Sequence, residues 1–491
     1  MIVAKGVSLL ETLGAWSSGP GPLYARLHAA IDAAITRGEL LPGAPLPPER
    51  TLARALRVSR TTVVQAYQNL RQSGRIDSRQ GSGTWVRGSA QDLQPSPQEH
   101  DVTSAFRRNV VFRSMLEHAR DTVGMVAAYL PPLPAVEEAA RLVARHPISE
   151  LAAEPGYAPM GMLALRKAVA DSLSRADLPT IAEQVLITSG AQQAISLVAG
   201  LLVPRGETVA VEDPTYIGAI DVFSAAGARL VPLPTGPEGV DVDRLRPMLE
   251  TRPRLLYLVP SFHNPTGAFL PERSRRVIAR LAAEFQIPVV EDNALAGLGL
   301  GAALPAPIAA FARNAPILTI GSPSKLFWSG LRVGWIRGPE ALIARLGRWK
   351  ALADLGSPLH TQAMVVHLLA EEVAAEKVRR HENCARLDLL EALLKQHLPD
   401  WSWRRPEGGL LLWARMPSGD ANELAPIAQR HGVAIVAGSA NSPDHRFADR
   451  VRLPFVADPA TMKEAMARLG HAWQEYRPLP RRGGGRFDVI V

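Results

Sequence analysis

A single cysteine, Cys384, stands among the 491 residues. One thiol excludes any intrachain disulfide, and with it the stapled frameworks of small secreted domains. Aromatic residues make up only 5% of the chain, and no apolar run approaches the roughly 20 residues of a membrane-spanning helix. The opening stretch "MIVAKGVSLLETLGAW" lacks the basic-then-apolar layout of a secretory leader. These absences lead us to expect a cytoplasmic protein with no membrane role, and no metal centre is expected. What is present is ordinary globular usage, 47% hydrophobic and 21% charged. At this length two or three folded units are expected, each able to bury its own core.

Charge is spread unevenly. Residues 1–90 carry eleven Lys/Arg against five Asp/Glu, a net of +6 out of +8 for the whole chain. A basic end on a nearly neutral body points to a polyanion such as nucleic acid, although a merely soluble basic surface would look the same by charge alone.

The pattern within that end is more specific. "LYARLHAAIDAAITR" places Leu23, Leu27, Ala30, Ile31 and Ala34 on one helical face, with Gly38 as a stop. "LPPERTLARALR" opens on prolines and sets Leu52, Ala55 and Leu56 at helical spacing. Ser59 is a natural cap for a third helix with Val63, Tyr67 and Leu70 on its apolar face and Gly74 at its close. "RIDSRQGSGTWV" then reads as a hairpin with a glycine-rich basic tip. Helix, helix, turn, helix, hairpin is a winged helix-turn-helix layout. Its third helix starts with Arg and Thr, suited to the edges of bases in a major groove.

Residues 88–103 show no helical or strand period and read as a linker. Beyond them, short apolar runs ("QVLIT", "TVAVED", "LLYLVP", "PVVED", "ILTIGS") alternate with helical patterns as far as residue 476, which predicts an α/β body with a largely parallel sheet. The stretch 477–491 is Arg-, Gly- and Pro-rich and is expected to be a basic tail.

In such sheets ligands collect beyond the carboxyl ends of strands. There lie the small turn Ser189-Gly190-Ala191 before a helix, suited to a phosphate, then Asn264, Asp292, and Ser322 with Lys325. A lysine, a carboxylate and an amide at neighbouring strand ends suit a pyridine aldehyde. The amine forms an imine, the carboxylate keeps the ring nitrogen protonated, and the amide bonds the ring hydroxyl. Arg332 follows the lysine and can clamp a phosphate bidentately.

Residues 22–87 resemble the winged helix of GntR-type bacterial regulators. That resemblance assigns Arg50, Ser59, Arg60, Thr61 and Gly81 to contacts with a double-stranded DNA operator. Residues 125–475, with "SGAQQAI", "EDPTY", "HNPTG", "SPSKLFWSGLRVGW" and "RLPF" in succession, resemble the fold-type I, pyridoxal 5'-phosphate (PLP) dependent aminotransferases. The implied architecture is an α+β winged helix-turn-helix (1–87), then an α/β, aspartate aminotransferase-like body (104–476) with a smaller C-terminal α+β subdomain.

By the same likeness Lys325 carries PLP as an aldimine, with Asp292 at the pyridinium and Asn264 at the ring oxygen. Tyr216 stacks on the ring, while Gly190, Ala191, Ser322 and Arg332 hold the phosphate. Tyr157 reaches that phosphate from the second subunit of a homodimer, and Arg452 takes the carboxylate of an amino compound.

One departure concerns the segment "DNALAG". Catalytic members carry a tyrosine two or three residues after the aspartate, where this chain has Ala294 and Leu295. Loss of that hydroxyl removes a donor to the ring oxygen, so weak or absent transamination is expected. Together the two halves resemble the MocR/GabR subfamily of bacterial regulators. The implied function is a PLP-dependent transcription regulator whose effector is PLP, a vitamin B6 vitamer or an amino compound. The alternatives are an active aminotransferase with an accessory DNA-binding domain, and a repressor whose body serves dimerisation alone.

Overall fold

The computed structural model describes residues 9–13, 16–17, 20–36, 39–40, 43–79, 83–87, 111, 122–145, 156–301 and 303–476. The expected linker 88–103, the tail 477–491 and the wing residue Gly81 lie outside the described residues.

The head contains α1 (Leu9–Leu13), α2 (Leu23–Thr36), α3 (Glu49–Leu56) and α4 (Arg60–Gln72), with strands β1 (Pro45–Leu46), β2 (Ile76–Arg79) and β3 (Gly83–Val86). Leu27, Ile31, Leu52, Leu56, Val63, Tyr67 and Leu70 form its core, as the helical spacing requires. In α3 Leu52 and Leu56 are buried as expected, and Ala53 rather than Ala55 is the alanine buried with them. The strands form a three-stranded sheet in the order β1-β3-β2. β1 is too short to read from the sequence, but it closes the wing by pairing with β3.

The body is built on an eight-stranded sheet in the order β5-β12-β11-β10-β9-β6-β7-β8. After a short β4 (Val123–Gly124), the strands are β5 (Val185–Thr188), β6 (Thr208–Asp213), β7 (Arg229–Gly236), β8 (Gly239–Val240), β9 (Leu255–Leu258), β10 (Val289–Asp292), β11 (Ile317–Gly321) and β12 (Gly334–Arg337). From β7 through β6, β9 and β10 to β11, neighbours are parallel, whereas β12 runs antiparallel to both β11 and β5. The reversal has a simple cause. Residues 322–333 between β11 and β12 hold only one 3₁₀ turn, too short a span for a helical crossover, so the chain must double back.

Before the sheet and in its connections run α5 (Pro134–Arg145), α6 (Leu163–Arg175), α7 (Ala191–Leu202), α8 (Ile217–Ala225), α9 (Leu245–Glu250), α10 (Glu272–Phe285) and α11 (Glu340–Asp354). One sheet face packs Val198, Phe223 and Leu346, the other Leu249, Ile278 and Leu281, so the strands read as continuous apolar runs. Two further helices, α12 (Leu359–Ala370) and the long α13 (Glu372–His397), lead to the C-terminal subdomain.

There β13 (Ser402–Trp403), β14 (Leu411–Arg415), β16 (Val436–Ala437) and β17 (Arg450–Pro454) form a second sheet, ordered β13-β14-β17-β16. β15 (Val433–Ala434) pairs instead with β4, and α14 (Ala421–Arg430) and α15 (Pro459–Glu475) cover the layer. Among the described residues no helix is long and apolar enough to cross a membrane.

Candidate cofactor site and nucleic-acid interface

Five strands deliver residues to one sheet edge. Beyond β5, Gly190 caps α7 with a φ of 124°, a conformation L side chains rarely adopt. A Cβ there would lie 3.3 Å from Nη2 of Arg332, so the guanidinium sits directly against the turn. Gly334 makes the approach possible, because its own Cβ would stand 2.8 Å from the Gly190 backbone. Ala191 opens α7, whose free N–H groups face the same edge. Ser322 donates to the carbonyl of Val333 at 2.7 Å, tying the two ends of the 322–333 return together.

Lys325 lies on that return, with Nζ donating to the Ala128 carbonyl at 2.9 Å. Burial, reinforced by the charges of Arg452 and Arg332, lowers its amine to about 8. Arg452 projects from β17, buried, donating through Nη2 to Val126 O, while its Nε has no partner. It forms no salt bridge among the described residues, and burial brings it down to about 10. Tyr216 caps α8 and donates to Gln192 Oε1 at 3.0 Å. Burial raises its phenol, and the charges of Asp292, Arg452, Asp221 and Arg332 all act on it.

Asp292 ends β10, buried, and accepts from the Tyr257 hydroxyl at 2.7 Å and from the Ala294 N–H at 3.0 Å. Burial raises its carboxyl, against the pull of those two donors. The Asn264 Oδ1 is buried without a partner. Tyr157 is 71% exposed, so within one chain it is not part of this cluster.

Three neighbours are not evident in the sequence pattern. Tyr257 hides in the apolar run of β9, and Gln192 sits in a helix that reads as ordinary. Glu212 lies fully buried at the end of β6, raised by burial to about 8 despite the Val259 N–H it accepts at 2.6 Å. Beside it His263 Nε2 stands 3.5 Å from Oε2, its imidazole lowered by burial to about 4 and therefore neutral. Near neutral pH, Glu212 and His263 therefore add little charge beside the cluster.

In the head, Arg50, Ser59, Arg60 and Thr61 are all exposed. Ser59 caps α4, accepting from Thr62 N at 3.1 Å, and its Oγ lies 2.7 and 2.8 Å from the hydroxyls of Thr61 and Thr62. Arg60 and Arg71 share one carboxylate, Glu49, at 3.6 and 3.8 Å. Thr62, which had no place in the sequence expectation, belongs to the same hydroxyl cluster. Among the described residues no group of three or more His, Cys, Asp or Glu could hold a metal ion.

The chemistry of this edge is that of an anionic aldehyde cofactor. A near-neutral amine, a buried carboxylate and a positive-φ glycine turn lying against an arginine all fit PLP, which when bound supplies an electron sink for an amine substrate. The matches agree with the geometry. Residues 127–469 match the family of aminotransferases class I and II, and residues 23–86 match the bacterial regulatory proteins of the gntR family. The chain belongs to the class I and II aminotransferase family, with PLP as its cofactor, and carries a GntR-type DNA-binding head.

More narrowly, it is a member of the MocR/GabR subfamily of PLP-dependent transcription regulators. The uncharacterized HTH-type transcriptional regulator YdfD of Bacillus subtilis is 32% identical over 436 residues, covering 85% of this chain and 89% of its own. The probable rhizopine catabolism regulatory protein MocR of Rhizobium meliloti is 30% identical over 428 residues, 84% of this chain and 85% of its own. Among solved structures, LysN, the α-aminoadipate aminotransferase of Thermus thermophilus complexed with N-(5'-phosphopyridoxyl)-L-leucine, superimposes with a TM-score of 0.69 at 30% identity. It covers 79% of this chain and 98% of that one.

Proposed function

We propose that the chain acts in the cytoplasm as a homodimeric regulator whose operator affinity is set by PLP held at Lys325, or by the product of PLP with an amino compound. In this reading Asp292 holds the ring nitrogen, Asn264 the ring oxygen, Tyr216 the ring face, and Gly190, Ala191, Ser322 and Arg332 the phosphate. Tyr157 completes the phosphate shell from the second subunit, and Arg452 takes the carboxylate of the amino compound. Arg50, Ser59, Arg60, Thr61 and the wing glycine Gly81 contact DNA. A ligand shifts operator binding only by its differential affinity for the two head arrangements, about 1–3 kcal/mol in typical allosteric systems.

The observation that carries the reading is the combination at one sheet edge: Lys325, Asp292, Tyr216, Arg332 and the Gly190 turn lie where PLP would need them, while Ala294 and Leu295 occupy the segment in which a catalytic member has its phenol. A single hydrogen-bond donor, Asn264, is left for the ring oxygen, which favours retention over turnover. The likeness to an α-aminoadipate aminotransferase supports a second reading, true transamination.

Absorption from about 300 to 500 nm, before and after borohydride, decides the cofactor half. A band near about 410–430 nm, erased by reduction and missing in Lys325→Ala, is the expected result. Steady keto-acid production from a panel of amino donors, lost in the same variant, would favour the enzyme instead.

A further inference from the structure

Among the described residues, Arg57 of the head reaches the body. Arg57 ends α3 in the left-handed region, at φ 53°, which turns its side chain away from the head core. Its Nη2 donates to Glu423 Oε2 at 3.1 Å, and its guanidinium carbon lies 4.6 Å from the ring centroid of Tyr476. Glu423 sits in the first turn of α14 and also accepts from the Tyr476 hydroxyl at 2.9 Å. Tyr476 OH in turn accepts from the Asp420 N–H at 2.8 Å, so the body side of the contact is a closed hydrogen-bonded unit.

That unit is tied to the cofactor edge. Asp420 Oδ1 accepts from Asn422 N at 2.7 Å and from Asn422 Nδ2 at 2.8 Å, and Asn422 Oδ1 accepts from the Ser439 hydroxyl at 2.8 Å. Ser439 belongs to the 3₁₀ turn Gly438–Asn441, which follows β16, the strand paired with the Arg452 segment of β17. At the other end of the turn, Asn441 and Thr215 exchange two hydrogen bonds of 2.8 Å, Thr215 N to Asn441 O and Asn441 Nδ2 to Thr215 O. Thr215 immediately precedes Tyr216. Both Tyr216 and Arg452 therefore lead through hydrogen-bonded backbone and side chains to the start of α14.

We infer that the Glu423–Tyr476 surface is the docking site for the DNA-binding head, and that the Gly438–Asn441 turn passes a displacement of Tyr216 or Arg452 to Arg57. The inference rests on the regulator reading above and specifies its internal connection. A ligand that moves Tyr216 moves Thr215 and Asn441 with it. Ser439 then shifts Asn422, and the first turn of α14 either presents the Glu423 carboxylate to Arg57 or withdraws it. With Arg57 held, the head has a fixed attitude; once Arg57 is released, the head can reorient. Coupling requires this contact to have two discrete states, engaged and released.

The test uses variants on the body side, away from the DNA face. Operator Kd is measured by fluorescence anisotropy for full-length protein, PLP-loaded and PLP-stripped, in wild type, Glu423→Ala and Ser439→Ala. Wild type is expected to differ between the two states by about 5- to 150-fold. Both variants should bring that ratio close to one while keeping the visible absorption of the Lys325-bound cofactor. The exchanged pair Arg57→Glu with Glu423→Arg should recover a substantial part of the ratio and serves also as the control for damage to the fold. A wild-type ratio of one would defeat the regulator reading itself. A normal wild-type ratio retained in Glu423→Ala, or left unrecovered in the exchanged pair, would defeat this inference alone.

Discussion

At the scale of single residues, the chemistry of the site reduces to which groups are charged. Burial and two arginines hold Lys325 near pH 8, and only a free amine attacks a carbonyl. The proton is lost as pH rises, so stripped protein should take up PLP at a rate that climbs about tenfold per unit below pH 8 and levels above it. Stopped-flow growth of the visible band measures this, and a profile flat across the range would contradict a depressed amine. Asp292 depends on Tyr257, one of its two hydrogen-bond donors among the described residues. Tyr257→Phe should cost about 1–3 kcal/mol, read as a lower urea midpoint of the stripped protein, together with weaker PLP binding. Lys325, Asp292 and Asn264 were legible in the sequence because charged and amide groups interrupt apolar strands at their ends. Tyr257 was not. Its role comes from the β9–β10 register, in which Tyr257 lies opposite Val290 and so shares a face with Asp292 two residues on. Nothing in the composition of "LLYLVP" reveals that alignment.

At the scale of elements, turns carry more of the function than helices or strands. The β5–α7 turn works only because Gly190 has a positive φ and Arg332 fills the space a side chain would need. Gly190→Ala should strain the turn by about 1–3 kcal/mol and weaken PLP binding about tenfold or more, measured by equilibrium dialysis, with little change at the head. The five apolar runs read from the sequence became β5, β6, β9, β10 and β11 within a residue or two at each end. They were legible because strands buried on both faces must be continuously apolar. The antiparallel β12 was not, since its direction follows from the shortness of the 322–333 return rather than from its own residues. The two-residue strands of the wing and the C-terminal sheet were equally hidden, being too brief to show a period. The cap at Ser59 was readable, because capping depends on local hydrogen bonding that a sequence states directly.

At the scale of the whole molecule, the proposed dimer and the exposed Tyr157 make a joint prediction. If Tyr157 serves the partner's phosphate, Tyr157→Phe should weaken PLP binding without changing the mass seen by analytical ultracentrifugation. Wild type diluted below its dimer dissociation constant should lose cofactor in parallel; affinity insensitive to both changes would remove Tyr157 from the site. The division of charge, +6 on the first ninety residues, has its own effect on how DNA is found. Glu49 places a carboxylate between Arg60 and Arg71, beside the residues proposed to contact DNA. Random DNA offers that arginine only a phosphate in exchange for the carboxylate it already has, so an accidental encounter displaces fewer counterions than the cation count suggests. The logarithmic salt slope of non-specific binding should fall short by about 0.9 per cation so engaged. The consequence is a matter of search time: the head leaves wrong sequence quickly, and only a site that outbids Glu49 for Arg60 keeps it long enough to matter.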